Sequence, residues 1–91
     1  MNINLEQIEE IYDTNMIKLI KENINDVNKN IAYLNKLQFT DIENMFERYP
    51  EIFIYHNNVF VTRMNNLINK LGSNYVEQIE ENLELLEELL W

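Results

Sequence analysis

The chain has 91 residues and a net charge of −9, with one Gly, one Pro and no Cys. That length suits one hydrophobic core and is too short for two domains. Scarce Gly and Pro leave little material for the tight turns of a many-stranded β fold, and the lack of Cys excludes disulfides and thiolate zinc sites. We therefore predict one all-α domain over residues 1–91, with about five helices arranged as a short, solenoid-like helix-pair repeat or a small bundle.

The N-terminal residues do not resemble a targeting segment. Residues 1–6 include an acid where a secretory signal needs positive charge followed by an apolar run. No uninterrupted apolar stretch approaches the roughly 20 residues that span a bilayer. We expect a cytoplasmic protein that does not associate with membranes.

Two predicted helices occupy the first 37 residues. The first follows Asn4, which forms a capping-box pattern with Gln7, and its apolar positions recur at helical spacing: Leu5, Ile8, Ile11 and Tyr12. The second is predicted as the longest helix, over about 15–37. Its apolar seam alternates steps of three and four, the pattern that two packed helices bury between them: Ile17, Ile20, Ile24, Val27, Ile31 and Leu34.

A capping box at Thr40 and the proline at position 50 mark the ends of the next helices. Thr40 with Glu43 forms a full capping box, which predicts a helix start at Thr40. Pro50 limits that helix, because the residue before a proline avoids the α region. Proline also suits the first turn of a helix, so a short helix is predicted over 50–54.

Two further helices complete the chain. Apolar residues at helical spacing predict a helix that ends at Gly72, the expected left-handed cap residue: Phe60, Met64, Leu67 and Leu71. Asn74 with Glu77 predicts the start of the last helix, whose stripe repeats the heptad spacing and is widened by two more leucines: Val76, Ile79, Leu83, Leu85, Leu86, Leu89 and Leu90.

The helical pattern recurs at an interval of 34 residues. Units 5–37 and 39–71 share eight identical positions, where composition alone would give about three. The matches include Asn35-Lys36-Leu37 with Asn69-Lys70-Leu71, and a partial third unit covers 73–91. A helical repeat is the favoured interpretation, and two unrelated amphipathic helix pairs aligned by periodicity remain the alternative.

The best copy resembles the repeat of the mitochondrial transcription termination factor family. Its residues are Ile31-Ala32-Tyr33-Leu34-Asn35-Lys36-Leu37-Gln38-Phe39-Thr40-Asp41-Ile42, then Arg48-Tyr49-Pro50-Glu51-Ile52-Phe53, then Leu67 and Leu71-Gly72. The resemblance covers residues 31–72. Gln38 stands where the family pattern has Gly, and Glu84 stands where it has Pro. The resemblance implies helix pairs stacked into a curved solenoid, with nucleic acid as the usual partner.

The charge distribution argues against nucleic acid as a partner. Residues 1–72 hold ten acids and seven bases, whereas residues 73–91 hold six acids and no base. Nucleic-acid affinity depends on Lys and Arg that neutralise phosphates, and the expected footprint is a basic stripe. A basic patch from Lys18, Lys21, Lys29 and Lys36 is diluted by Glu22 and Asp26, and it fits a solvated helix face better.

The last helix has the strongest signal for partner binding. Its outer faces carry acids with no positive charge to offset them: Glu77, Glu80, Glu81, Glu84, Glu87 and Glu88. These acids form either a solvated face or a surface that binds a basic protein. A wide apolar stripe on the same helix includes Leu86, Leu89, Leu90 and Trp91. Core burial against two neighbouring helices explains most of its width, and an uncapped apolar edge predicts self-association as a homo-oligomer.

No pattern points to catalysis, a cofactor or a metal. His56 stands alone in a predicted loop, where a helix cap or a solvent-facing role is expected. The sequence has no glycine-rich phosphate loop and no nucleophile beside a base. We predict a non-catalytic acidic protein-interaction module without cofactors. The alternatives are a nucleic-acid-binding helical repeat and an acidic inhibitor that mimics nucleic acid on a basic target.

Overall fold

The computed structural model describes residues 14–90, which form six α-helices and one 3₁₀ helix without a strand. The helices are α1 (Thr14–Glu22), α2 (Ile24–Lys36), α3 (Ile42–Arg48), α4 (Pro50–Phe53), α5 (Asn57–Leu71), α6 (Tyr75–Glu81) and the terminal 3₁₀ helix (Leu83–Leu90). The all-α prediction is confirmed for these residues. The predicted first helix, with Leu5, Ile8, Ile11 and Tyr12, lies outside them, as does Trp91. No helix within 14–90 is long and apolar enough to cross a membrane.

The predicted single helix over 15–37 is wrong, because the chain breaks at Asn23 between α1 and α2. The Asn23 side chain donates from Nδ2 to the Leu19 carbonyl at 2.8 Å, and the Asn23 backbone has φ −112° and ψ 22°. The Leu19 carbonyl also accepts from the Asn23 backbone N–H at 3.1 Å, so the side chain and the backbone of Asn23 share the carbonyl at the end of α1. The longest described helix is therefore α5, with 15 residues.

Helix α5 lies at the centre of the fold, with α2 and the terminal 3₁₀ helix as its main packing partners. The core between them is a single cluster of buried side chains. An aromatic series links four elements: ring centroids lie 5.0 Å apart for Phe46 and Phe53, 5.8 Å for Phe53 and Phe60, and 6.3 Å for Phe60 and Tyr33. Because edge and tilted aromatic contacts are favourable, this series joins α3, α4, α5 and α2.

Helix α3 does not begin as the capping-box prediction requires. Asp41, not Thr40, precedes the first helical residue, and Asp41 makes no side-chain cap hydrogen bond. The Thr40 backbone N–H and hydroxyl instead donate to the Glu80 carboxylate on α6. A contact distant in sequence therefore replaces the local cap. The short helix predicted from Pro50 is confirmed as α4.

The predicted single helix after Asn74 is also wrong. Helix α6 ends at Glu81, and Asn82 has an extended backbone with φ −142° and ψ 85°. From Leu83 the chain continues as a 3₁₀ helix. Its buried residues are Leu83, Leu86 and Leu89, and this three-residue interval matches the three residues per turn of a 3₁₀ helix.

Two residues within 14–90 have positive φ, and they follow the two longest helices. Gly72 ends α5 as predicted, with φ 87° and ψ −162°. Gln38 has φ 72° after α2. The Phe39 N–H donates to the Leu34 carbonyl, and the Gln38 N–H donates to the Asn35 carbonyl. These two bonds form a Schellman motif, in which the residue at the position of Gln38 is usually Gly.

Gln38→Gly is expected to raise the free energy of unfolding by about 1 kcal/mol, because a Cβ is disfavoured at positive φ. Urea unfolding followed by circular dichroism measures the change. Gly72→Ala provides the reverse control and should cost about 1–3 kcal/mol, since its φ and ψ belong to a region used almost only by Gly. A Gln38→Gly variant less stable than the wild type would contradict this account.

Candidate functional site

The C-terminal acids form an exposed surface on α6 and the terminal 3₁₀ helix, which we call the acidic face. Five of the six predicted glutamates are exposed: Glu77, Glu81, Glu84, Glu87 and Glu88. Glu80 is half-buried, and it accepts hydrogen bonds from the Thr40 backbone N–H and hydroxyl at 2.8 Å. Glu80 therefore ties α6 to the start of α3, which leaves the other glutamates as the candidates for binding a partner.

The 3₁₀ conformation arranges the terminal side chains in three rows. Residues three apart are eclipsed in a 3₁₀ helix, so Leu83, Leu86 and Leu89 form the buried row. Glu84 and Glu87 share a second row, and their backbones are about 6 Å apart along the axis. Both glutamates are exposed, so this row presents repeated negative charge to solvent.

The predicted apolar binding residues lie in different environments. Leu86 and Leu89 are fully buried within the chain, so they stabilise the domain and do not extend its surface. Leu90 is half-buried, and Trp91 lies outside the described residues. The exposed apolar stripe expected from the sequence is therefore narrower than predicted.

Two cations of α5 hold the terminal 3₁₀ helix in place. Arg63 donates from Nη1 to the Leu89 carbonyl at 2.6 Å, and its guanidinium lies 5.0 Å from the centre of the Tyr55 ring. Two helical turns further along α5, Lys70 Nζ lies 3.2 Å from Glu88 Oε2. A positive group near the C-terminal carbonyls of a helix is favourable. The Arg63 contact helps to fix the position of the acidic face relative to the core, whereas the exposed Lys70–Glu88 pair adds little energy.

The lysines predicted as a solvated face are exposed on α1 and α2: Lys18, Lys21, Lys29 and Lys36. Lys18 approaches Glu22 at 3.9 Å on the helix surface, a pair that contributes little to stability when so exposed. Helix α5 packs against both α2 and the terminal 3₁₀ helix. The basic lysines and the acidic face therefore belong to different elements.

A polar cluster joins α2 to the start of α5, and the sequence reasoning missed it. Asn30 is fully buried and donates from Nδ2 to the carbonyls of Phe53 and Tyr55, at 2.9 and 3.0 Å. Its Oδ1 accepts from the Asn57 side chain at 3.0 Å. Asn30 lies between Val27 and Ile31 on the apolar seam of α2, and a polar residue on such a seam is the signal that could have revealed it.

Asp26 caps α5 from the neighbouring helix. Its Oδ1 accepts from the Asn57 backbone N–H at 3.0 Å, and its Oδ2 lies 3.2 Å from His56 Nδ1. A carboxylate at a helix N-terminus satisfies a free amide and interacts well with the helix dipole. His56 has the exposed side chain expected from the sequence, and its role here is to contact the capping carboxylate.

The hydrogen bond from Asn57 lowers the pKa of Asp26 below its ordinary 3.8. Because the pKa of Asp26 is lower in the folded state, its ionised carboxylate contributes to the free energy of unfolding above about pH 3.8. This contribution is lost as the pH falls through the pKa of the folded state. We expect the stability difference between wild type and Asp26→Asn to shrink below pH 4, measured by urea unfolding at pH 5.5 and 2.5. A constant difference across this range would contradict the capping role.

The sequence predicted no catalytic or metal-binding site, and the described residues offer few candidate side chains for one. Within residues 14–90, no group of three or more His, Asp or Glu side chains is placed to hold a metal ion. Tyr33 donates its hydroxyl to Asn65 at 2.6 Å, and Tyr55 lies under Arg63. Both tyrosines are thus used within the fold.

Comparison of the chain with protein-family models, with curated proteins and with solved structures found no match.

Proposed function

We propose that the protein is a non-catalytic interaction module whose acidic face binds a basic protein surface. The proposal rests on four glutamates that are exposed and unpaired with any cation of the described residues: Glu77, Glu81, Glu84 and Glu87. None of them forms an ion pair with a cation in the described part of the chain. Their charge is uncompensated within those residues, which favours encounter with a positively charged partner.

The nearby cations pair with one glutamate of the acidic face, Glu88, and leave the other four exposed glutamates without a partner in the described part of the chain. Lys70 is paired with Glu88, and Arg63 is bound to the Leu89 carbonyl. Residues 73–91 add six acids and no base. A rigidly held surface with this excess charge supports electrostatic recognition more than a flexible tail would, since less conformational entropy is lost on binding.

A basic partner is favoured over a second copy of the chain. Leu86 and Leu89, which were predicted to mediate self-association, are buried in the core. Two acidic faces brought together would repel each other. Self-association remains a prediction, and light scattering at high protein concentration measures it directly.

Removal of charge from the acidic face tests the proposal. The triple variant Glu81→Gln, Glu84→Gln, Glu87→Gln should weaken binding to a 20-residue polylysine probe by roughly 3- to 100-fold, from about 0.2–1 kcal/mol per exposed ion pair. Fluorescence anisotropy measures the dissociation constant, and repetition at higher salt should weaken wild-type binding.

A matched variant separates local recognition from net charge. Glu22→Gln, Glu43→Gln, Glu47→Gln removes the same charge from exposed positions on α1 and α3, and it should retain most of the affinity. Equal losses in the two variants would show that the acidic face has no special role. Affinity purification with both variants then identifies cellular proteins that bind the acidic face.

The alternatives from the sequence are outcomes of the same measurements. Steeply salt-dependent binding of random duplex or single-stranded nucleic acid, weakened by changes at Lys29 and Lys36, would support a nucleic-acid-binding repeat. A captured protein that nucleic acid displaces from the acidic face would support mimicry of nucleic acid. The interaction-module proposal predicts neither result.

We also propose that the chain contains two copies of a helical unit, over 24–48 and 57–81. Each copy has a long helix, a residue with positive φ and a seven-residue helix. Gln38 and Gly72 are separated by 34 residues, the period of the sequence repeat. The resemblance of residues 31–72 to the mitochondrial transcription termination factor repeat accords with this unit and stays a prediction.

Buried positions refine the register of the proposed repeat. In the long helices the buried residues correspond at an interval of 33, as Val27 to Phe60 and Leu34 to Leu67. After the positive-φ residue the interval is 34, as Met45 to Ile79. The 34-residue interval of the sequence repeat pairs Val27 with Val61 instead, and Val61 is half-buried.

A further inference from the structure

A groove lies between α5 and the terminal 3₁₀ helix, on the side where the two elements are joined by polar contacts. Its volume is about 420 Å³, and it is lined by Arg63, Asn66, Leu67, Lys70 and Glu88. Binding sites for small ligands commonly have volumes in this range. We propose that this groove binds a carboxylate carried on a small apolar body. The proposal is independent of the function proposed for the acidic face.

The charges lining the groove differ from those of the surrounding chain. Arg63 and Lys70 are the two bases of residues 49–91, and both line this groove. They are two helical turns apart on α5, which places their backbones about 10 Å apart along the axis. Asn66 lies between them and offers amide donors. The groove therefore concentrates hydrogen-bond donors in an otherwise acidic region.

Arg63 is held in an orientation suited to binding. Arg63 is half-buried, and its guanidinium lies 5.0 Å from the centre of the Tyr55 ring and donates from Nη1 to the Leu89 carbonyl. A guanidinium has five N–H donors, and Leu89 provides its one hydrogen-bond acceptor among the described residues. The remaining donors are available to a carboxylate, which Arg binds in a planar, two-pronged geometry.

Lys70 already holds a carboxylate in the groove. Its Nζ lies 3.2 Å from Glu88 Oε2, so Glu88 shows the chemistry that this end of the groove accepts. Both side chains are largely exposed, at 67% for Lys70 and 47% for Glu88. Such a pair contributes little energy, and a ligand carboxylate can therefore displace Glu88. Leu67 lines the groove but is only 2% exposed, so the apolar body of the ligand would contact mainly the methylene stems of Arg63 and Lys70.

A matched pair of probes tests the need for a carboxylate. Titration with N-acetylleucine, followed by ¹⁵N NMR of the full chain, should shift the Arg63 Nε–H signal and the backbone amides of Asn66 and Lys70. N-acetylleucinamide has the same apolar body without the charge, and it should bind about tenfold more weakly. Equal affinities, or shifts centred on another part of the surface, would overturn the proposal.

Removal of the competing Glu88 carboxylate should tighten ligand binding rather than weaken it. Glu88→Gln should tighten N-acetylleucine binding by about threefold or more, because Lys70 is freed and a repulsive charge is lost. Glu84→Gln removes the same charge from the acidic face, outside the groove lining, and should change affinity less than about twofold. Equal tightening by both variants would show a general effect of net charge and would overturn the proposal.

Lysine variants provide a test that does not depend on Arg63, which also holds the 3₁₀ helix. Lys70→Gln should weaken N-acetylleucine binding, whereas Lys36→Gln on α2 should not. Binding unaffected by Lys70→Gln would overturn the proposal.

Two further probes identify the source of the carboxylate. Equal binding of 4-methylpentanoate and N-acetylleucine would support small carboxylic acids as ligands, and tighter binding of N-acetylleucine would support the C-terminus of a peptide. Inorganic phosphate that shifts the same signals at lower concentration than either would overturn the assignment to a carboxylate.

Discussion

Leu86→Ala is expected to lower the free energy of unfolding by about 2–5 kcal/mol, the usual cost of truncating a buried leucine. Leu86 is fully buried in the middle of the leucine row of the terminal 3₁₀ helix. Because truncation would leave a cavity beneath this helix, the loss should appear as a lower urea midpoint in an unfolding curve followed by circular dichroism.

Leu90→Ala is the matched control, since Leu90 belongs to the same helix and is half-buried. It should cost clearly less than Leu86→Ala. The pair also distinguishes a core residue from an interface residue. A Leu86→Ala variant with wild-type stability and an altered oligomeric state would place Leu86 at an interface between copies, contrary to its buried position.

The sequence predicted the helices best where its apolar spacing agreed with the local end signals. Pro50 begins α4 and Gly72 ends α5, because the fixed φ of Pro and the permitted positive φ of Gly act through the local backbone alone. Ile20, Val27 and Leu34 are buried as the seam predicted. These features require no knowledge of the rest of the fold.

The two wrong predictions of a continuous helix both fail at an asparagine, a residue that can end a helix as well as continue it. Asn23 and Asn82 interrupt apolar patterns whose spacing fits one continuous helix. At Asn23 the side chain binds the Leu19 carbonyl. The chain has sixteen Asn residues, and most described ones lie within helices or at their ends. Periodicity therefore cannot identify which Asn breaks a helix.

The candidate site was predicted in part for a similar reason. The exposure of Glu84 and Glu87 follows from the charge pattern, which the sequence displays directly. The burial of Leu89 depends on the change from an α-helix to a 3₁₀ helix after Asn82, which alters which leucines share a face. The contact of Glu80 with Thr40 joins residues 40 apart, and local patterns do not report such pairs.

Asn30 of α2 binds the backbone where the chain passes from α4 to α5. One side chain satisfies the carbonyls of Phe53 and Tyr55, which follow one another closely where the chain leaves α4. That segment lacks the regular helical bonds that would otherwise pair those carbonyls. Buried backbone carbonyls need partners, so the turn between α4 and α5 depends on a residue of α2.

Asn30→Leu is therefore expected to cost about 2–4 kcal/mol, because unpaired buried polar groups each cost about 1–3 kcal/mol. The leucine replaces the amide with a side chain of similar size, so the loss reflects hydrogen bonding more than volume. Chemical denaturation at neutral pH measures it. Asn28→Leu is the control on the same helix, where the side chain is exposed, and it should have little effect.

Asn30→Asp adds a pH dependence that a packing role alone would not produce. The new carboxylate would face two carbonyl oxygens, so folding should raise its pKa. A raised carboxyl pKa means that stability increases as the pH falls, since the protonated acid can donate to one carbonyl. This sign is opposite to that expected for Asp26, whose pKa is lowered. The loss of unfolding free energy in Asn30→Asp, relative to the wild type, should therefore differ between pH 7 and pH 4.5. An equal loss at the two pH values would show that the hydrogen bonds to Phe53 and Tyr55 do not control this turn.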